Sequence, residues 1–158
     1  MSMNRNIGGR VTAPRIRIVE IDAFERDTRL RLPFRFGVAT LERAPQAFLR
    51  VRLEDETGKI AIGAAAEMMV PKWFDKNPAL TPAQNVDQLR GSIRVSAAAS
   101  LEASAPATLF GAARLNEMET ARRLPGNPLV AGFGPSLIAR AALDAYCRLA
   151  GISFFDAV

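Results

Sequence analysis

The sequence has no histidine, one cysteine, one tryptophan and one tyrosine, and its 21 basic residues include only three lysines, Lys59, Lys72 and Lys76. Without histidine there can be no Ser-His-Asp or Cys-His nucleophile system and no His-ligated zinc. The side chain that most often moves protons near neutrality is also missing. Cys147 alone cannot form an internal disulfide, a CxxC redox pair or a multi-cysteine zinc site. No apolar run approaches the roughly 20 residues of a membrane helix, so no membrane partner is expected. The segment Met1 to Ala13 carries Arg5 and Arg10 with no apolar stretch behind them. It does not read as a signal peptide, and a cytoplasmic location follows by default.

Phosphate-binding signatures are missing too. Gly8-Gly9 lies in neither a GxxxxGKS/T nor a GxGxxG frame. Gly132-Phe133-Gly134-Pro135-Ser136 imitates a nucleophile elbow, but Ile138 stands where the second glycine of G-x-S-x-G is required. The carboxylates Glu54-Asp55-Glu56 and Glu117 with Glu119 fall on a turn and on an amphipathic helix. They read as solvated charge, because a cation needs convergent oxygen ligands. A net charge of +5 and a pI near 10.3 raise nucleic acid as a partner. The basic residues are spread along the chain rather than clustered in a binding motif, so no nucleic-acid partner is expected.

What remains is the material of one domain, 49% apolar and 23% charged, with no repeat or low-complexity tract. A flexible tail is expected over residues 1–14. Arg15 to Arg26 (RIRIVEIDAFER) reads as a strand with a possible bulge at Ile18-Val19. Asp27 to Pro45 reads as a long linker interrupted by Pro33 and Gly37. Leu49, Val51 and Leu53 alternate with Arg50, Arg52 and Glu54, and Ile60, Ile62 and Ala64 alternate after the turn Asp55-Glu56-Thr57-Gly58. Together they predict a hairpin and, over residues 15–67, a three-stranded meander.

An irregular but apolar loop follows over residues 68–80. Thr81-Pro82-Ala83-Gln84 is a helix start with a capping box. Further helices are predicted near Thr108 to Leu124, closed by Pro125-Gly126, and in a last segment whose entry is punctuated by Asn127-Pro128 and Gly134-Pro135. Strands first and helices afterwards make an α+β domain with about three helices over residues 81–158.

In order and spacing the segments PRIRIVEIDAF, LPFRFG, FLRVRLEDETGKIAIGAAAE and LIARAALDAYCRLAGISFFDAV resemble the N-terminal capping domain of the enolase superfamily, in its mandelate racemase and muconate lactonizing group. The last segment resembles the helix and glycine that lead into the first barrel strand. The resemblance implies a substrate-specificity cap of a Mg²⁺-dependent lyase or isomerase. In that family a barrel supplies the Mg²⁺ ligands and the acid-base residues that take a proton next to a carboxylate.

None of the barrel is present here, so this chain is expected to hold no cofactor, to have no catalytic residue and to be inactive alone. By resemblance, two loops close over the barrel mouth. They correspond to Leu32 to Thr40, with Phe34, Arg35, Phe36 and Gly37, and to Glu67 to Asp75, with Met68, Met69, Lys72, Trp73 and Phe74. From the residues alone, the aromatics could equally plug the domain's own core. The expected partner is the missing C-terminal barrel half, or a second copy through an exposed apolar patch. A stand-alone protein- or ligand-binding module using the apolar loops is the alternative.

Overall fold

The computed structural model describes residues 13–37, 39–103 and 105–157, and leaves out the side chain of Ala39. The expected tail, 1–14, falls almost wholly outside them. The chain forms β1 (Arg15–Phe36), β2 (Ala39–Asp55), β3 (Ile60–Met68), α1 (Pro82–Glu102), β4 (Ala107–Thr108), α2 (Leu109–Arg123), α3 (Pro128–Ala150) and α4 (Phe154–Ala157). Helices packed on one face of an antiparallel sheet ordered β3-β2-β1-β4 confirm the α+β class.

Leu49, Val51 and Leu53 alternate onto the inner face of β2, where α3 lays Leu137, Ala141 and Ala145 against the sheet. The approach is close because β3 carries Gly63, where an added Cβ would lie 2.1 Å from the backbone nitrogen of Ala145. The opposite face stays wet. It carries a ladder of ion pairs, Arg17–Glu54, Arg52–Glu20 and Arg50–Asp22.

Three expectations are corrected. The stretch from Asp27 to Pro45 is strand, not linker. β1 and β2 stay paired from Arg26↔Gln46 to Phe36↔Ala39, whereas β2 and β3 part at Gln46↔Met68. Residues 27–45 are therefore a two-stranded ribbon running past the third strand, turned at Gly37 with φ 54. A register shift between Arg29 and Phe34 absorbs Pro33. Second, the sheet has a fourth strand, a two-residue pairing of Ala107 and Thr108 with Ile16 and Arg15 that carries too little pattern to read.

Third, of the two breaks expected at the entry to α3, Asn127-Pro128 is the entry, whereas Gly134-Pro135 lies inside the helix. Pro135 has no N–H for the carbonyl of Ala131, four residues earlier. The Ser92 hydroxyl of α1 fills the gap, donating to Ala131 O at 3.0 Å and accepting from Gly134 N at 2.9 Å. The capping box at Thr81 and Gln84 forms as expected. Beyond Gly151 the chain makes the short helix α4.

Candidate functional site

The ribbon and the segment after β3 lie against each other. Between them is a groove of about 500 Å³. Leu30, Leu32 and Phe34 of β1 and Leu41 of β2 form one wall, and Glu67, Met68, Val70, Trp73 and Phe74 form the other. Three aromatic rings join the walls. Phe34 stacks on Phe36 at 5.8 Å, and Phe36 meets the edge of Trp73 at 5.2 Å.

The structure thus brings together the two segments expected to act together, and it sorts their residues. Phe34 and Trp73 are both 51% exposed and line the groove. Met68 lines it as well. Met69 is 1% exposed and belongs to the core, because its N–H donates to Pro45 O at 2.8 Å and turns its side chain inward. Phe74 faces both ways, lining the groove while packing edge-on against Phe133 at 5.0 Å. Arg35 alternates with Phe34 and Phe36 and so stands on the other side of the ribbon.

Lys72 is not at the groove. Its Nζ donates to Asn77 O at 2.7 Å and to Leu80 O, and its backbone takes φ 63, which is rare outside glycine. The loop that Lys72 ties is anchored to α1 and to the N-terminus of α3. Lys72 N donates to Asn85 Oδ1 at 3.1 Å, Gln88 Nε2 to Asp75 Oδ2 at 3.0 Å, and Asn127 Nδ2 to Phe74 O at 3.0 Å. The bond from Gln88, together with the backbone N–H of Asn77, holds the Asp75 carboxyl below its ordinary range.

Sequence reasoning missed Leu30, Leu41 and Val70 as lining residues. The alternation of Leu30, Leu32 and Phe34 could have found the first, had the stretch been read as strand. Among the described residues Glu67 is the only ionisable one lining the groove, and both its oxygens are engaged. Oε1 accepts from Met68 N at 3.2 Å and Oε2 pairs with Arg140 at 3.1 Å.

A second cleft of about 430 Å³ lies between β1, the end of α1 and α2. Its charges are neutralised within the chain, by Arg17 with Glu54 and by Arg123 with Glu102 and Glu119. Alanines make up much of the rest of its lining. Nothing there converges on a reacting group.

Among the described residues no three Asp, Glu, Cys or His side chains come together in a group that could hold a metal ion. No helix among them is long and apolar enough to cross a membrane.

No protein-family profile and no curated protein matches this chain. Solved structures do match. An enolase from Bradyrhizobium complexed with magnesium and mandelic acid is 16% identical, with a TM-score of 0.58 over 93% of this chain and 35% of that one. The L-Ala-D/L-Glu epimerase from Bacillus subtilis is 16% identical, with a TM-score of 0.55 over 89% of this chain and 34% of that one. A member of the enolase superfamily from Roseovarius nubinhibens is 22% identical, with a TM-score of 0.50 over 85% and 31%. The chain spans about a third of the length of these structures. The chain has an enolase N-terminal-domain-like fold, an α+β unit whose described residues form no barrel.

Proposed function

We propose that this chain is the substrate-specificity cap of a Mg²⁺-dependent enolase-superfamily isomerase or lyase, and that it is not catalytic by itself. The observation that carries this reading is the convergence of the ribbon tip and the 68–74 segment into one apolar groove. It lies at one end of a fold that makes up a third of solved epimerase and enolase chains. In such a cap, Phe34, Phe36, Met68, Trp73 and Phe74 would close over a barrel mouth, excluding water from the reacting carbon and shaping the pocket. The metal and the base would come from the barrel.

Trp73, the only tryptophan, reports on the reading directly. Half exposed in the free chain, it should emit at long wavelength and be quenched readily by acrylamide. A superfamily barrel half added in trans should protect it. If no barrel half changes Trp73 emission or quenching, the cap reading fails.

Without a barrel, the partner is a second copy, held through exposed apolar residues such as Phe110, which is 81% exposed on α2. Light scattering should then show a mass that rises with concentration. The rival reading, a stand-alone binding module, draws support from the anchoring of residues 68–80 to α1 and α3 within the chain. It predicts ligand binding with no barrel effect.

A further inference from the structure

The groove's chemistry is more specific than its position. Eight of its nine lining residues are apolar, and the ninth, Glu67, spends its carboxylate on Arg140 and on a backbone N–H. Arg29, Arg31, Arg35 and Lys72, each next in sequence to a lining residue, are absent from the lining. No unpaired charge is therefore available among the lining residues to match an ionised ligand group, and burying an unmatched ion against them would be unfavourable. The size also selects. About 500 Å³ lies within the usual range of roughly 300–1,000 Å³ for small-molecule sites. Nine residues fall well short of the roughly 20–30 per side of a stable protein interface.

We propose that this groove binds a neutral, apolar group, aliphatic or aryl, of a small molecule, selecting it over cationic and anionic groups of the same size. That this group is the distal part of a substrate rests on the cap reading. The binding itself needs only this chain.

The test uses the full chain and Trp73 emission, with 6-bromohexan-1-ol as the neutral probe and 6-bromohexylammonium and 6-bromohexanoate as its charged counterparts. Bromine quenches indole only near contact. The neutral probe should quench saturably, and both ions should bind more weakly. Leu32→Asp, at a position 72% exposed, should weaken the neutral probe by about tenfold or more without unfolding the chain. Phe34→Ser should weaken it in the same direction, with far-UV circular dichroism confirming the fold of both variants.

Linear, unsaturable quenching, a preference for either ion, or indifference to both substitutions would each overturn the proposal. Shielding of Trp73 that grows with protein concentration alone would also overturn it, by making the groove a self-contact. A barrel half that protects Trp73 while the probe fails to saturate would leave the cap reading standing without this proposal. Saturable probe binding with no barrel effect would do the reverse.

Discussion

Ser92 holds together a helix that its own sequence would interrupt. Its hydroxyl is buried and has two partners, one of them the carbonyl left over by Pro135. Ser92→Ala should therefore strand that carbonyl in the interior and cost about 1–3 kcal/mol, read from urea unfolding. Gly63 is constrained by space. The added methyl of Gly63→Ala would meet backbone atoms of Ala145 and Ala141, at 2.1 and 2.3 Å, and backbone cannot swing aside as a side chain can. The expected loss is at least the roughly 1–3 kcal/mol of an overpacked core. Gly91→Ala, a helical position with nothing within 4 Å, should instead gain about 0.5–1 kcal/mol. At the surface, bonds from Arg122 and then Arg123 lower the Glu119 carboxyl from 4.5 to about 2. A carboxylate depressed on folding stabilises above its unfolded value and stops doing so as pH falls toward its folded one. The contribution of Glu119 is then complete above about pH 4.5 and lost on the way to pH 2. It is solvent-screened and small, and Glu119→Gln should flatten the acid limb of the stability profile over that window.

Among the elements, β3 is an exposed edge strand whose first seven residues, Ile60 to Ala66, carry no charge and no proline. Such an edge invites pairing with another chain. Asp144 of α3 reaches round to accept the N–H of Ala64 at 2.9 Å, held there by Arg148 at 3.1 Å. Asp144→Ala should therefore raise the self-association seen by sedimentation velocity above that of the wild type. Asp144→Asn, which keeps an acceptor, should not. Equal sedimentation of all three would mean that the edge is guarded by something else. This device was not legible in the sequence, because Asp144 and Ala64 are 80 residues apart. Local patterns were legible. Alternation at Leu49, Val51 and Leu53, the turn at Gly58 and the box at Thr81 each depend on neighbours a few residues away. The ribbon was misread although Leu30, Leu32, Phe34 and Phe36 alternate, because Pro33 and Gly37 read as interruptions, whereas the first falls in a register shift and the second makes the turn. At the groove the two segments were legible by resemblance. The split between core Met69 and surface Met68 was not, since adjacent methionines in an irregular loop carry no periodicity.

Across the whole molecule, stability should grade from the packed α3–sheet centre outward, and the two walls of the groove should not be equal. The 68–80 segment is bonded to α1 through Asn85 and Gln88, to α3 through Asn127, and to β2 through Pro45. Beyond its own cross-strand pairing the ribbon is tied by the bond from Met69 N to Pro45 O at its base and by the contact of Phe36 with Trp73, and isolated two-stranded ribbons are marginal in water. It also sets Arg29 directly opposite Arg43, a like-charge pair beside which Asp27 lies 3.6 Å from Arg43. Of the two walls the ribbon should open first, which makes it the moving part of the site and the anchored loop its fixed floor. Limited trypsin digestion can tell them apart, because both walls carry cleavable residues and cleavage follows local opening. Within residues 13–157, the earliest cuts found by mass spectrometry should fall after Arg29, Arg31, Arg35 or Arg43. Cuts after Lys72 or Lys76 should appear only on global unfolding, since Lys72 is bonded through both its backbone and its Nζ. First cleavage after Lys76 would reverse the assignment of fixed and moving walls. Protection of the ribbon by a barrel half, at unchanged global stability, would show that the moving wall is the one that closes.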